Sequence, residues 1–280
     1  MIRKIVIGCS LFVATSFVTQ AQETSKAFYK NLVNNPDNAK KTYVALPSVE
    51  PSDILYSKVV WREIVLREKM NLPLYYPTEP IDGRMSLIDL LMKGIQNSYK
   101  TAYDDDELSV PITFEEIKKR FDAVGDTITI MNNETGQMES VSVAGEIHTD
   151  EVKRILLKEI WYFNKRTSRL ESRIISICPV REFTKDDFDG IMKRQLFWID
   201  YGEFRDILAK QKVFMGRNSS APLTFDDIFL KRYFSSRIYQ EESMYNNRPI
   251  SSYAVGIDAI LESERIKNEM FNNEQGLWEY

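Results

Sequence analysis

The chain has 280 residues, of which 43% are hydrophobic, 28% charged and 12% aromatic, with a formal net charge of −4. This composition holds enough apolar material for a sizeable core and excludes an intrinsically disordered chain. Its mildly acidic balance argues against general nucleic-acid binding, where phosphate neutralisation needs a basic footprint.

Residues 1–21 have the layout of a secretory signal peptide. Arg3 and Lys4 make a basic start, Ile5 to Val18 is a mostly apolar run, and Thr19-Gln20-Ala21 offers a small-x-small cleavage site. Ile7-Gly8-Cys9 imitates a lipoprotein box. Only a few apolar residues precede Cys9, however, and the apolar run continues past it, so soluble export is expected rather than lipidation. Cleavage leaves 35 Lys and Arg against 41 Asp and Glu, a net charge of −6, and Cys178 as the remaining cysteine. No internal disulfide can then form, so stability must come from packing, aided by partners. Residues 22–51 are polar and carry Pro36, Pro47 and Pro51, which reads as an extended N-terminal arm.

The folded region begins near Asp53. Val59-Val60-Trp61 and Ile64-Val65 suit a strand, and Arg67 to Met70 suits one helical turn stopped by Pro73. A single helix from Asp53 to Met70 is the alternative, because Glu63 and Arg67 have favourable helical spacing. Three segments share a helix-start device, with Thr113, Thr184 and Thr224 as N-caps and a carboxylate three residues on: Glu116, Asp187 and Asp227. Asp126 to Met131 and Glu139 to Val143 flank Asn132-Asn133-Glu134-Thr135-Gly136, a hairpin signal. A second hairpin joins residues 155–163 to 170–180. In its second strand Leu170, Ser172, Ile174, Ser176 and Cys178 should share one face, with Ile175 and Ile177 on the other. Cys178 then reads as a buried small hydrophobe, and Pro179 ends the pairing or marks an edge.

There is also a longer echo. Trp61 and Trp198 each precede a charged patch and then, 25 or 26 residues on, the start of an amphipathic helix at Ser86 or Thr224. The pattern suggests repeated units at 53–121 and 190–240 around central hairpins at 122–182. The expected class is α+β, as two related α/β lobes with antiparallel hairpins and capped amphipathic helices. A C-terminal surface helix, Ile257 to Phe271, and a tail with an exposed Trp278 occupy residues 246–280.

Candidate chemistry is sparse. His148 has no second histidine or cysteine nearby in sequence, which disfavours a metal site or a nucleophilic triad. Asp104-Asp105-Asp106-Glu107 lacks the ordered ligand spacing of a calcium loop and reads as a solvated acidic turn. The carboxylate pairs that could hydrolyse glycosides are mostly taken up as helix caps. No catalytic, metal or cofactor-binding residue is assigned. Instead the chain supplies Trp, Tyr and Arg in turn-like contexts, the residue types of interface hot spots. The candidate partner interface is Tyr75, Tyr76, Arg67, Glu68, Lys69, Tyr201, Arg205 and Trp278. Trp61 and Trp198 are better placed in the core.

The run DILYSKVVWREIVLREKMNLPLYYP, then RMSLIDLL and TAYDDDELSVPITFEEI, closely resembles the GldN/PorN family of Bacteroidota. So do KEIWYFNKRTSRLESRIISICPV, QLFWIDYGEFRDILAKQ and TFDDIFLKRYFSSRIY, in order across roughly residues 52–245. The resemblance implies a non-enzymatic, periplasmic subunit of the type IX secretion and gliding machinery. It further implies self-association within a ring beneath the outer membrane, a GldK/PorK-like lipoprotein that attaches the ring there, and a GldM/PorM-like periplasmic motor domain as a second partner. Nucleic acid is not an expected partner, and no direct membrane span is expected. The other function classes left by the residues themselves are a periplasmic hydrolase of unknown substrate and a monomeric periplasmic binding module.

Overall fold

The computed structural model describes residues 42–278 apart from 82, 98–99, 124–125, 132–137, 144, 146, 186–187 and 214–222. The expected signal peptide, the expected arm as far as Lys41, and the 132–136 turn lie outside the described residues. In chain order the elements are β1 (Ile54–Val65), α1 (Leu72–Tyr75), α2 (Leu87–Gln96), β2 (Ala102–Tyr103), β3 (Pro111–Ile112), α3 (Phe114–Arg120), β4 (Asp126–Met131), β5 (Met138–Val143), β6 (Val152–Asn164), β7 (Arg169–Lys185), β8 (Phe188–Gln195), β9 (Ile199–Asp200), α4 (Tyr201–Leu208), β10 (Lys212–Val213), β11 (Leu223–Thr224), α5 (Phe225–Leu230), β12 (Arg237–Glu241) and α6 (Ile257–Leu277). Helices and antiparallel sheets coexist, as expected for an α+β chain.

A six-stranded antiparallel sheet in the order β12-β1-β6-β7-β8, with β9 also on β7, organises the molecule. β1 lies between β12 and β6, with both of its edges paired. Its β-branched run is thus a strand and not the alternative helix. Val60 and Ile64 point to one face, Trp61 and Glu63 to the other, and all four are buried. The first face carries the main core, built with α2, α3, α4 and α5 around Ile64, Leu91, Ile117, Leu157, Phe204 and Phe225. Along the same face α6 seals Val60 and Ile238 with Ile266 and Met270. The opposite face carries Trp61, Leu156, Cys178, Val180 and Trp198. α2 and α4 meet closely at Gly94, where a Cβ would come within 2.9 Å of Ile207 Cδ1.

Residues from 53–121 and 190–240 interdigitate in the single main core, so the two expected lobes are one packed body.

Local expectations divide in the same way. Thr113 and Thr224 form complete capping boxes, and Ser86 caps α2. Thr184 does not cap a helix. It pairs with Ile191 in the β7–β8 hairpin, where strand partners satisfy the backbone that a cap would have served. Arg67 to Met70 is a turn. Helix comes one step later, with Pro73 inside its first turn, where a missing N–H costs nothing. The β4–β5 hairpin and the β6–β7 hairpin form as expected.

The facing predicted along β7 fails at one residue. Ser176 pairs with Lys158 and Ile174 with Glu159, which leaves Ile175 as a bulge. The bulge reverses the alternation, so Ile174 and Ile177 both face the main core while Cys178 and Val180 face the tryptophans. Pro179 does not end the pairing, since β7 runs on to Lys185. Its carbonyl accepts from Leu196 N at 3.0 Å, so its ring nitrogen faces the interval between the β9 and β8 pairings, where no ladder bond is required.

Candidate functional site

The candidate residues divide by burial. Arg67, Glu68 and Lys69 are exposed on the turn that follows β1. That turn is rigidly held. Asn71, fully buried, donates through Nδ2 to Val65 O at 2.8 Å and Ser235 O at 2.9 Å, and accepts from Ser235 N at 2.8 Å. Beneath the turn lies an ion network. Glu63 accepts from Arg154 Nη1 at 2.7 Å and Arg237 Nε at 2.8 Å, while Arg154 also reaches Glu182 and Arg67 stands 3.5 Å from the same carboxylate. Burial pushes the Glu63 carboxyl upward. Hydrogen bonds and charge from Arg237 and Arg154 outweigh that and hold it below its ordinary value of 4.5.

The two tyrosines of the next stretch separate. Tyr75 is half-buried and donates to Asp150 O at 2.9 Å, with Lys153 Nζ 4.4 Å above its ring. Tyr76 is 56% exposed and meets Tyr75 edge-on, with centroids 4.8 Å apart. Tyr76 also borders a shallow cleft with Pro77, Ile81, Arg84, Met85 and Val213. Of the pair, Tyr76 alone is largely exposed to solvent.

Tyr201 and Arg205 are not exposed on the chain, contrary to the open surface contact expected of them. Both are buried, at 3% and 4% exposure, beside Asp226 at 3%. Asp226 accepts from Tyr201 Oη at 2.7 Å, Arg205 Nε at 2.9 Å and Arg205 Nη2 at 3.1 Å. Burial and the neighbouring carboxylate raise the Tyr201 hydroxyl far above its ordinary pKa. The physical reason is the turn of helix: positions 201, 204, 205 and 208 form the inward face of α4. The sequence did hold a signal. The Thr224 box uses only Asp227, so Asp226 was surplus to capping.

α6 has an inner and an outer face. Ser263, Ile266 and Met270 are buried, Ser263 Oγ accepts from Ile238 N at 3.0 Å, and Glu274 accepts from Leu170 N at 3.1 Å. Ile257, Ile260, Leu261, Phe271 and Trp278 are exposed.

The acidic run is a turn on which Asp104 and Glu107 stay exposed while three of its carboxylates are engaged by neighbours in the chain. Asp104 pairs with Arg120, and Asp105 accepts from Ser109 N at 3.0 Å and Val110 N at 2.9 Å. Asp106 accepts from Trp61 Nε1 at 2.8 Å and lies 3.1 Å from Lys158 Nζ. Glu159, fully buried, accepts from Arg232 Nη2 at 3.0 and 3.1 Å and from Trp161 Nε1 at 3.0 Å. Burial pushes the Cys178 thiol up to about 12, so it stays protonated and unreactive. His148 is exposed beside Asp150. No group of three or more His, Cys, Asp or Glu able to hold a metal occurs among the described residues, and no helix among them is long and apolar enough to cross a membrane.

A search of curated proteins finds no match to this chain. The family model of the gliding motility associated protein GldN matches residues 49–279, which takes in every element from β1 to α6. The chain belongs to the GldN family of gliding motility associated proteins.

Proposed function

We propose that this protein is a non-enzymatic structural subunit of a periplasmic ring at the outer membrane that serves type IX secretion as well as gliding motility. One contrast carries the reading beyond family membership. The groups that could do chemistry are spent on one another: Glu63 with Arg154 and Arg237, Glu159 with Arg232, and Asp226 with Arg205 and Tyr201. Large apolar side chains, by contrast, face outward at Tyr76, Ile257, Leu261, Phe271 and Trp278. Exposed aromatics rimmed by charge suit protein contact. In this reading Arg67, Glu68, Lys69 and Tyr76 form one contact patch and Trp278 belongs to another. The partners are further copies of the chain, a GldK/PorK-like lipoprotein that tethers the ring to the outer membrane, and a GldM/PorM-like motor domain. Co-purification from envelopes followed by electron microscopy tests this. Large rings containing the lipoprotein are expected, and a monodisperse monomer with hydrolytic turnover would overturn the proposal.

A further inference from the structure

The last described stretch of the arm, residues 42–50, lies across the α4–α5 face. Every residue from Thr42 to Ser48 remains exposed. Among the described residues its backbone makes no hydrogen bond to another backbone group before Glu50. Two arginines of the folded body hold it instead. Arg205 Nη2 donates to Val44 O at 2.6 Å with the guanidinium 4.9 Å over the Tyr43 ring, and Arg173 Nη2 donates to Pro47 O. Leu46 rests in a groove with Ile174, Tyr201, Phe229 and Leu230.

The groove is therefore a built receptor for an extended peptide. Asp226 and Tyr201 fix the Arg205 guanidinium, and its Nη2 is aimed at the carbonyl of the seated chain. Arg205 is 4% exposed with the arm seated, and the arm carbonyl takes the place that water would hold on Nη2 if residues 43–44 lifted.

Resting on the self-association proposed above, we infer that this groove is an interface between copies, in which residues 43–47 of one chain seat against Arg205, Arg173 and Leu230 of another. Three observations favour exchange. The hydrogen bonds run from arginines of the body to arm carbonyls, so a second copy's arm makes the same contacts. The connecting residues 48–50 precede a short 3-10 turn at Pro51–Asp53 and are lightly tied, which makes them a hinge. Prolines at 47 and 51 keep that hinge from collapsing onto the body. Exchange of an identical element adds little cost of its own, and tethering of neighbours in an assembly decides the balance.

The test uses full-length chains co-expressed with two different tags, one carrying Leu46→Cys and the other Leu230→Cys, with assemblies purified under mild oxidation. Both positions are exposed, so the fold is retained. A Lys69→Cys chain replaces the Leu230→Cys chain as the control for chance linkage. The expected result is a disulfide-linked pair carrying both tags, about tenfold or more above the control, because a seated arm raises the local thiol concentration. Assemblies without that pair, assemblies in which the control links equally, or a Leu46→Cys/Leu230→Cys chain that closes only within itself each overturn arm exchange and leave the ring proposal standing. Absence of any assembly overturns both.

Discussion

Replacing Asp226 by alanine isolates the energetic centre of the α4–α5 face. The substitution removes one carboxylate and three hydrogen bonds, two from Arg205 and one from Tyr201. It leaves a guanidinium at 4% exposure without its counter-ion. Breaking a buried pair by deleting one partner costs about 3–5 kcal/mol, chiefly through the uncompensated charge left behind. The stranded Tyr201 hydroxyl adds about 1 kcal/mol. Relief comes from the arm: Arg205 keeps Val44 O and can reach water if residues 43–44 lift. A net cost of about 4 kcal/mol follows, or a fall in Tm of about 8–16 °C for a chain of this size. Urea unfolding should show a lower midpoint at an unchanged slope. The pair Arg205→Met with Asp226→Leu should recover most of the loss, since an apolar pair of similar volume needs no counter-ion. A cost below about 1 kcal/mol for Asp226→Ala would place the pair in the weak surface class and refute its burial.

Three further outcomes are expected. Thr113→Ala and Thr224→Ala should each cost about 1 kcal/mol in urea unfolding, with Thr224 the larger because it is buried and its box is part of the core. Tyr75→Ala should lower Tm, since it loses the bond to Asp150 O and its contact with Lys153, whereas Tyr76→Ala should stay within about 0.5 kcal/mol of the parent while weakening co-purification of partners. The Glu63 carboxyl, held below its ordinary value, stabilises the fold above the unfolded pKa, and that stabilisation is lost as pH falls through the folded one. Arg237→Met removes the strongest of the groups that hold it down, so acid unfolding followed by circular dichroism should move to higher pH; an unchanged acid midpoint would show that Arg237 does not stabilise the carboxylate.

Features settled by a few neighbouring residues were legible in the sequence. The capping boxes at Thr113 and Thr224 need only a threonine and a carboxylate three residues on. The two hairpins follow from alternating strands around polar turns, whereas the β-branched run around Trp61 left strand and helix both open until its pairing with β6 and β12 decided for the strand. The family likeness was also readable, because it rests on linear motifs, and the GldN match over 49–279 bears it out. What the sequence could not decide depended on non-local partners. Thr184 has the same cap pattern as Thr224, and pairing with Ile191 in β8 is what makes it a strand residue. The Ile175 bulge arises from the register against β6 and reverses the facing of Cys178. Tyr201 and Arg205 have interface chemistry by type, yet Asp226, 21 residues beyond Arg205, draws both inward. Burial is a property of the assembled core. Residue type limits which side chains can sit there, but packing of α4 and α5 against the sheet decides which ones do.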